Sequence, residues 1–544
     1  MARPVTERLR LSATFEALTA LHVGGVPGDP EVDLTVALDG RERPYIPGTS
    51  LAGILRSACV RAAGTDAKQR DAIERIWGGT PENRSEDTAA SLVVVDDAVV
   101  CSSAPLELRD GIGIDRFTGT AAAHVKYVRQ VIPRGSTFEV HVTVDRPAEL
   151  PDGTTATDID TVIGLLTGLL VGHGTITVGA AGTRGLGRVC ATRESFHAQR
   201  LSFRDRSRTI EAVRGGADVT DELRVRATTA GGDEITITVH WAPDGPLMVK
   251  AGFDGLAVDT LPLTGITGHD PTTKEAQLGF LLPGSSIKGA LRSRAELIVR
   301  TLRGVDVSAP GQGGAPSTRR FLDQLADPAL ELVRWLFGSA PVEPSGPRSN
   351  SHTSDEPQPG RGALSVDDCF SKERFPADAW NAVIGAAKQK SGGDELDRLR
   401  TALSALGLSG LQPAFHVAVD RWTGGAAEGL LFSVLEPHAL EWEPVRIRLD
   451  LARLPDAVRE AAICLLLVVL RDLAEGWVPF GFGTNRGLGA IQVRTVSIEV
   501  PAGFASLPSG QLSEVLAAAS ENLADGWKAA VAPFDPTVEA AQDG

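Results

Sequence analysis

The sequence lacks the features that mark membrane proteins, secreted proteins and small zinc-binding modules. No apolar run approaches the roughly 18 residues that a membrane span needs, and the start of the chain has no apolar signal-peptide core. The five cysteines are scattered and form no C-x-x-C pair, which argues against a zinc knuckle or a disulfide framework. These absences predict a cytoplasmic protein with no membrane partner.

Two common phosphate-binding loops are also absent. The sequence has no G-x-x-x-x-G-K-[ST] loop, and neither of its glycine-rich stretches has the G-x-G-x-x-G spacing of dinucleotide-binding folds. The formal net charge of −15 argues at first against a nucleic-acid partner. The basic residues nevertheless cluster in a few motifs, and the local potential matters more than the net charge.

What the chain does contain is a Pro-Gly turn that opens a helix, within residues 281–294. Ser285 or Ser286 is expected to cap the first free N–H groups of this helix. Lys288 and Arg292 share a helical face with Ser285, close to the helix N-terminus, where the dipole favours an anion. The stretch therefore predicts a phosphate site, and the alternative is an ordinary amphipathic helix behind a turn.

The same motif occurs 236 residues earlier, where Pro47-Gly48 opens another helix. Four further motifs recur in the same order in both halves of the chain. The matched pairs are Ile76-Trp77-Gly78 with Leu336-Phe337-Gly338, Val95-Asp96-Asp97 with Val366-Asp367-Asp368, Ile114-Asp115-Arg116-Phe117-Thr118-Gly119 with Val419-Asp420-Arg421-Trp422-Thr423-Gly424, and Gly182–Val189 with Gly483–Ile491. An ordered repeat of this kind indicates a tandem duplication with insertions in the second copy.

The repeat predicts two domains of α+β class, each with strands interleaved with two helices. The expected arrangement in each is a four-stranded antiparallel sheet with helices on one face, as in ferredoxin-like folds. Two insertions rich in Gly, Pro and Ser, near 303–320 and 339–362, are predicted to be mobile loops. The predicted boundaries are a first domain at 1–200, a connecting segment at 201–225, a second domain at 226–505, and a C-terminal helix and tail at 506–544.

The ordered set of motifs resembles the RAMP superfamily of CRISPR effector proteins. The resemblance is carried by Leu21-His22-Val23-Gly24-Gly25, the two Pro-Gly motifs, the two Asp-Arg-x-Thr-Gly motifs and the two Arg-Gly-Leu-Gly loops. The sequence is most similar to the family-seven backbone subunits of type III (Csm and Cmr) complexes, and a fusion of two such subunits resembles the tandem backbone proteins of type III-D systems. The resemblance implies modified RNA-recognition domains with hairpin thumbs and inserted loops. It also implies three kinds of partner: a guide RNA, a complementary target RNA and other CRISPR effector subunits.

Basic residues within or near these motifs are the predicted RNA contacts. Glycine lets a backbone approach a phosphate closely and arginine binds phosphate with two donors, although a glycine-rich turn packed on its own sheet is the alternative. The first copy has Ala52 where the family has lysine, so we expect weaker RNA binding there, or binding that is transferred to Arg56 and a neighbouring residue. The predicted contacts are Arg56, Lys126, Arg129, Arg184, Arg188, Lys288, Arg292, Arg294 and Arg486.

Asp33 and Asp259 are the predicted target-cutting residues, one in each copy. Each belongs to a Val-Asp pair in the loop before a Pro-Gly motif, and the resemblance implies a catalytic aspartate at that position. A carboxylate there can accept the 2′ proton of RNA or hold Mg²⁺ that stabilises developing charge, and the resemblance favours Mg²⁺ or a similar divalent cation, held by the same two aspartates. The alternative is that either aspartate only caps a loop. Composition alone does not distinguish Asp33 from Asp29, Glu31 or Asp39.

The remaining acidic pairs and histidines have simpler interpretations. Asp115 and Asp420 are expected to close a turn through an ion pair with the arginine that follows each of them. The Asp-Asp pairs at 96–97 and 367–368 are expected to start a turn rather than hold a metal. His22 and His173 have no counterpart in the second copy and are expected to make local hydrogen bonds. Phe117, Tyr127 and Trp422 are either core residues or platforms on which bases stack, and these alternatives remain open.

Three functions remain open at this point. The first is an RNA-guided nuclease subunit that cuts target RNA, and the second is a non-catalytic RNA-binding scaffold of the same fold. The third and weaker alternative is a nuclease that processes the guide RNA through histidine chemistry. The RNA-binding motifs are compatible with all three functions, so they do not distinguish them. The acidic loops distinguish them, because target cutting is assigned to the aspartates there.

Overall fold

The structure is a computed structural model that describes residues 4–26, 28, 30–64, 66–78, 90–101, 105–150, 153–228, 233–252, 258–270, 272–273, 275–307, 309, 317–339, 360–385, 395–408 and 410–532. The predicted loop at 339–362 and the last dozen residues lie almost wholly outside these ranges, and the loop at 303–320 lies partly outside them. The chain divides into two compact units. Unit 1 comprises 1–107, 130–182 and 186–232, and unit 2 comprises 108–129, 183–185 and 233–544.

The first repeat and the segment after it contain eleven strands and five helices within the described residues. In chain order they are β1 (Val5–Ala17), β2 (Tyr45–Ile46), α1 (Gly48–Ala62), α2 (Ala67–Ile76), β3 (Val93–Val95), β4 (Ala98–Cys101), β5 (Glu107–Ile114), β6 (Ala121–Val131), β7 (Thr137–Pro147), α3 (Ala156–Leu170), β8 (Thr175–Thr177), β9 (Arg188–Ala191), β10 (His197–Ser202), α4 (Arg206–Val213), β11 (Ala217–Asp218) and α5 (Thr220–Arg226).

The second repeat and the C-terminal segment follow the same plan with additions. Their elements are β12 (Glu234–Pro243), β13 (Thr264–His269), β14 (Ala276–Leu282), α6 (Gly284–Arg303), α7 (Ser317–Ala326), α8 (Glu331–Phe337), β15 (Leu364–Val366), β16 (Cys369–Phe370), β17 (Phe375–Pro376), α9 (Ala377–Gly385), α10 (Glu395–Ala405), β18 (Leu411–Val419), β19 (Ala426–Pro437), β20 (Val445–Asp450), α11 (Asp456–Ala474), β21 (Ile491–Glu499), β22 (Gly510–Gln511), α12 (Leu512–Asn522) and α13 (Ala524–Ala530).

Unit 1 is built on an antiparallel sheet whose central strand is β1. On one side β1 pairs with β7, which also pairs with β3, and on the other side it pairs with β9 and β10. Leu9, Leu11 and Phe15 alternate with more exposed residues along β1, so one face of the sheet is apolar. That face packs in one core with buried residues of α1 and α3. Strand β11, from the predicted connecting segment, pairs with β10 at the edge of the sheet.

Unit 2 contains a sheet with the same order, in which β12 lies between β20 and β21 and β15 pairs with β20. Helices α6 and α11 supply the apolar side chains that cover it, and their buried residues belong to the same core as those of β12 and β20. All four strands are antiparallel and two helices cover one face, which is the ferredoxin-like arrangement. The predicted α+β class with two tandem domains of this kind is therefore confirmed.

Each repeat also has a two-stranded hairpin, which we call its thumb. The first thumb is β5–β6 and the second thumb is β18–β19. At each tip an aspartate side chain accepts hydrogen bonds from two backbone N–H groups, at 3.0 Å and 3.0 Å for Asp115 and at 2.7 Å and 2.9 Å for Asp420. Gly119 and Gly424 then adopt φ of 67° and 70°, which glycine reaches without strain. Both aspartates therefore close a turn, as expected, but by hydrogen bonds rather than by pairing with the neighbouring arginine.

Candidate nucleic-acid interface

The two Pro-Gly helices start in the same way, and the prediction that Ser285 or Ser286 caps α6 is wrong. Helix α6 begins at Gly284, which places both serines inside its first turn, and neither side chain caps it. Instead the Gly284 N–H donates to Asp368 Oδ1 at 2.8 Å. In the first repeat the Gly48 N–H donates to Asp97 Oδ1 at 2.7 Å.

These carboxylates change the chemistry of the predicted phosphate site. The end of a helix where N–H groups are free attracts an anion, and here a carboxylate already satisfies the first glycine N–H. A Cβ on Gly284 would lie 2.3 Å from the carbonyl oxygen of Val366, so the helix start is packed against β15 as well. Phosphate binding at this motif must therefore come from side chains on the helix rather than from its first N–H group.

The basic side chains of α6 point into the protein. Lys288 is 5% exposed, and its Nζ donates to the carbonyl oxygen of Leu364 at 2.7 Å. Arg292 pairs with Glu296 on the next turn of the helix at 2.7 Å. Arg294 pairs with the buried carboxylate of Asp472 at 2.7 Å. Arg292 and Arg294 thus have partners within the fold, which an RNA would have to replace.

The first repeat presents its corresponding arginine differently. Arg56 is half-buried on α1 and makes no hydrogen bond or ion pair within the described residues. Ala52 occupies the position that corresponds to Lys288, one turn before Arg56. The first repeat therefore offers a single unpaired arginine at this motif, where the second offers a buried lysine and paired arginines. Arg188, the other predicted contact of this repeat, is half-buried at the start of β9.

The glycine-rich loop of the first repeat meets the Pro-Gly motif of the second. Residues 183–185 belong to unit 2, and the Thr183 carbonyl accepts from the Val366 N–H at 3.4 Å. Gly185 has φ of 95°, and a Cβ there would lie 2.2 Å from Asp368 Oδ1. A Cβ on Gly284 would likewise lie 2.8 Å from the Gly185 Cα. Glycine is required at both positions because the two backbones touch, and this contact brings Arg184 to the start of α6.

The result is a group of cations that affect one another. Burial, together with Arg184, Arg292 and Arg361, holds the pKa of Lys288 well below its usual range. Burial also lowers the pKa of Arg129, and Arg184 lowers it further. Arg184 itself is exposed and has no ion-pair partner in the described part of the chain. Like charges this close destabilise each other, so an anion placed among them would relieve the repulsion.

Each thumb carries an aromatic ring that lies beside an arginine side chain. On the first thumb the guanidinium of Arg129 lies 5.4 Å from the centre of the Tyr127 ring. On the second, Arg486 of the Gly483–Gly489 loop lies 5.3 Å from the centre of the Phe432 ring, which stacks on His416. Arg486 is exposed, so its guanidinium faces solvent beside a stacked pair of rings. Lys126, by contrast, pairs with Asp110 at 2.8 Å across the first thumb.

Asp259 is held at the base of the second thumb. Its Oδ2 accepts from the backbone N–H of Ser433 at 2.7 Å and from the Ser433 hydroxyl at 2.8 Å. The Asp259 N–H donates to the Ser433 Oγ at 3.0 Å. The hydrogen bonds from the Ser433 backbone and hydroxyl lower the pKa of Asp259. The carboxylate is therefore ionised, fixed in place and exposed on one side.

Asp33 occupies the matching place in the first repeat. The carbonyl of the next residue, Leu34, accepts from the N–H of Gln130 on β6 at 2.9 Å. The carbonyl of Thr260, the residue after Asp259, likewise accepts from Leu435 on β19 at 2.9 Å. Both aspartates thus precede a residue that is bonded to the return strand of a thumb, and Asp33 is exposed as well.

The structure distinguishes Asp33 from Asp39, one of the acidic residues near it in the sequence. Asp39 accepts from the N–H groups of Arg41 and Arg43 and pairs with the Arg43 side chain at 2.7 Å, and these contacts lower the pKa of Asp39 to about 2. Asp39 therefore stabilises a tight turn. Glu31 is exposed, and Asp29 lies outside the described residues.

A divalent cation would find one carboxylate at each of these places. The described ranges contain no group of three or more Asp, Glu, His or Cys side chains arranged to hold a metal ion. Mg²⁺ keeps several waters and often uses only one or two protein carboxylates together with substrate phosphates. Asp33 and Asp259 fit that mode of binding, in which water and RNA phosphates supply the other ligands, and do not fit a metal site made by protein alone.

Several other predictions can be compared with the structure. The Nδ1 of His22 lies 2.7 Å from the carbonyl oxygen of Gln130, and His22 is 3% exposed, so it bonds locally as expected. Asp367 pairs with Arg448 through both carboxylate oxygens at 3.0 Å. Arg361 and His416 were not predicted, because neither lies in a repeated motif and only the folded strands bring them close to the predicted residues.

Comparison with known families gives one match that covers most of the chain. A sequence model described as the RAMP superfamily matches residues 14–190 and again residues 246–492. The two segments include both Pro-Gly helices, both thumbs, and the loops that carry Arg184 and Arg486. No curated protein matches the sequence. Within the described ranges, no helix is both long and apolar enough to cross a membrane.

Proposed function

Because the chain belongs to the RAMP superfamily, which indicates a CRISPR-associated RNA-binding protein, we propose that it is a backbone subunit that binds a guide RNA across both repeats. The observation that carries the proposal is the group of cations formed by Arg129, Arg184, Lys288, Arg292 and Arg361. Cations are normally spread over a protein surface, and this group is gathered around one loop contact. A polyphosphate backbone is the ligand that such a group fits.

The proposal assigns different tasks to the members of the group. Arg184 is exposed and unpaired among the described residues, so it makes the first contact with phosphate. Burial and the neighbouring arginines lower the pKa of Lys288, and a bound phosphate would favour its charged form. Arg486, beside Phe432, makes the corresponding contact in the second repeat.

The test is RNA affinity as a function of salt concentration. Each phosphate contact that is lost reduces the slope of log affinity against log salt by about 0.7 for single-stranded RNA. We expect Arg184→Ala and Arg486→Ala each to weaken binding. Each should also reduce the slope by about 0.7, the value for one phosphate contact. Arg319→Ala is the matched control, because Arg319 is exposed on α7 and, among the described residues, its ion-pair partner is Asp323 on the next turn. Equal affinities and slopes for the wild type and the Arg184→Ala/Arg486→Ala double variant would refute the proposal.

We further propose that the subunit belongs to a type III effector complex, resembling the tandem III-D backbone proteins, and that it cuts the paired target RNA at Asp33 and Asp259. The support is the equivalent position of the two aspartates, each beside the base of a thumb. In the reaction the target 2′-oxygen forms a bond to the adjacent phosphorus as its proton leaves to a base. The bond from phosphorus to the 5′-oxygen breaks, the leaving 5′-oxygen takes a proton from water, and a 2′,3′-cyclic phosphate remains. The carboxylate accepts the 2′ proton or helps to hold Mg²⁺, which would stabilise charge on the phosphate.

The experiment is incubation of the assembled complex with labelled complementary RNA, with and without magnesium. Two cuts are expected, and Asp33→Asn should abolish one and Asp259→Asn the other while target binding persists. Asp39→Asn is the control, because Asp39 has a structural role and lies on the same segment as Asp33. If the wild-type complex binds the target and leaves it whole in magnesium, the protein is a non-catalytic RNA-binding scaffold.

A further inference from the structure

Lys250 lies on the segment that pairs with the loop of Asp259. A bridge joins Lys250 to Pro262, three residues after Asp259, and the neighbouring Ala251 N–H donates to the Leu261 carbonyl at 2.9 Å. Ala251 is buried, whereas Lys250 and Asp259 are both exposed. An ammonium and a carboxylate thus face solvent on two segments that are bonded to each other.

The first repeat has the same register, with a glycine in place of the lysine. A bridge joins Gly24 to Val36, three residues after Asp33, and the neighbouring Gly25 N–H donates to the Thr35 carbonyl at 3.0 Å. The position of the lysine is therefore held by a residue without a side chain. Backbone hydrogen bonds and bridges establish this equivalence, so it does not depend on sequence matching alone.

The charge of Lys250 acts on Asp259. The two hydrogen bonds from Ser433 lower the pKa of Asp259, and Lys250 lowers it further. The interaction of two charges weakens with distance and with solvent screening, so an effect of this kind indicates that the two groups are near neighbours. The second repeat thus places a positive charge beside the carboxylate to which we assign target cutting.

A second carboxylate approaches the Lys250 segment and has a cation of its own. A Cβ on Gly252 would lie 2.8 Å from Asp110 Oδ2, so β5 of the first thumb reaches the residue two positions after Lys250. Asp110 pairs with Lys126 at 2.8 Å. Asp110 is therefore neutralised without Lys250.

Cutting of RNA requires positive charge next to the phosphate. Negative charge builds up on the phosphate oxygens in the transition state, and either a metal ion or a fixed cationic side chain stabilises it. An ammonium binds phosphate as a compact point charge. Because Lys250 is part of the fold, its charge is present at any concentration of divalent cation.

We propose that Lys250 binds the target phosphate next to Asp259 and supplies part of the positive charge for which the first repeat relies more on a divalent cation. This inference rests on the proposed cutting at Asp33 and Asp259, and it makes the two cuts chemically unequal. Lys250 holds a non-bridging phosphate oxygen, forms no covalent bond to the RNA and transfers no proton. The second-repeat cut should therefore need less magnesium than the first-repeat cut.

The first test follows both cuts in the assembled complex as the magnesium concentration is varied. Asp259→Asn identifies the second-repeat cut. We expect Lys250→Met to slow that cut about tenfold at limiting magnesium, because an exposed lysine should contribute less than the roughly hundredfold of a fixed donor. The loss should shrink at saturating magnesium, Lys250→Arg should preserve the rate, and the first-repeat cut serves as the internal control.

The converse variant is Gly24→Lys, which should lower the magnesium requirement of the first-repeat cut. The nearest atom to a Cβ on Gly24 is the Nε2 of His22 at 3.7 Å, an ordinary contact, so the fold accommodates the side chain.

The second test measures binding and needs no cutting. The probe is complementary 2′-fluoro RNA, which lacks the 2′-hydroxyl nucleophile. We expect Lys250→Met to weaken binding of this strand by the complex and to reduce the slope of log affinity against log salt by about one. Lys372→Met is the matched control, because Lys372 is exposed and pairs with Glu441 at 2.9 Å.

Equal salt slopes for the wild type and Lys250→Met, or equal magnesium dependence of the second-repeat cut, would overturn the inference. A lower magnesium requirement in Lys250→Met would also overturn it, because Lys250 would then compete with the cation for Asp259. Absence of both cuts in the wild type would refute the proposed cutting itself, and the salt slope would then decide separately whether Lys250 contacts phosphate.

Discussion

The two Pro-Gly helices share their framework and differ in their charges. Both begin with a glycine packed against a strand, and both receive a carboxylate from the short turn that follows that strand, Asp97 for α1 and Asp368 for α6. Of the two helices, α6 has a lysine one turn after its first residue, whereas α1 has Ala52 there. The loop that carries Arg184 contacts the start of α6. The two helices thus start with the same backbone arrangement, whereas the cations and ion pairs around α1 and α6 differ.

The caps give the largest expected difference between the two helices. Asp368 is buried and also pairs with Arg109, so Asp368→Ala removes both the cap of α6 and a charged hydrogen bond to a buried guanidinium. We expect a loss of about 2–3 kcal/mol of unfolding free energy, since hydrogen bonds to charged groups contribute about 1.5–3 kcal/mol. Asp97→Ala removes only a cap and should cost about 1 kcal/mol. Chemical denaturation of both variants measures the difference, and equal losses would show that the Arg109 pair adds nothing.

Two glycines of α6, one at its start and one in its second turn, provide the next comparison. Gly284→Ala places a Cβ 2.3 Å from the Val366 carbonyl and 2.8 Å from the Gly185 Cα, and backbone atoms do not move aside easily. We expect a loss of about 1–3 kcal/mol. Gly289→Ala, on the same helix with nothing within 4 Å of its Cβ, should instead stabilise the protein by up to about 1 kcal/mol. A loss of stability in both variants would contradict this account of the contact.

The lysine is expected to affect binding more than stability. Lys288→Met removes a cation whose pKa is held low by burial and by neighbouring arginines, so unfolding free energy should stay equal or rise near neutral pH. RNA affinity should nevertheless fall several-fold at low salt. Ala52→Lys is the converse change in the first repeat and should raise affinity. If Lys288→Met destabilises the protein and leaves RNA affinity unchanged, Lys288 has only a structural role.

The smallest expected effect is the pH dependence of the contact between Asp259 and Ser433. The folded state lowers the pKa of Asp259, so this contact stabilises the protein above the usual aspartate pKa and is lost as the pH falls through the folded value. The difference in unfolding free energy between the wild type and Ser433→Ala should therefore shrink below about pH 4. A difference that stays constant down to pH 3 would mean that the carboxylate does not contribute.

The sequence predicted those parts of the fold and site that rest on repeated local patterns. The ordered motifs were enough to predict two ferredoxin-like domains, because each motif marks the same element in both copies. Asp115 and Asp420 were correctly placed in turns for the same reason. The cap of α6 was predicted wrongly, because Asp368 reaches Gly284 from 84 residues away and the adjacent serines gave a stronger local signal.

The partners of the basic residues could not be predicted from spacing. Arg292 and Arg294 lie two residues apart on α6, yet one pairs with Glu296 on its own helix and the other with Asp472 on α11. Their burial depends on which elements pack around α6, and this is a property of the tertiary structure. The position of the Arg184 loop against α6 could not be predicted from spacing either. Residues 183–185 lie in the first repeat of the sequence but belong to unit 2 of the fold.

The central claim, that RNA binds where the Arg184 loop meets α6, is tested most directly by photo-crosslinking. A guide RNA with photoreactive bases at successive positions is bound to the wild-type protein, and the crosslinked peptides are identified by mass spectrometry. The account predicts crosslinks to the peptides that contain Arg184 and Tyr127, and their loss at high salt. Crosslinks confined to other surfaces, such as α12 and α13, would contradict it.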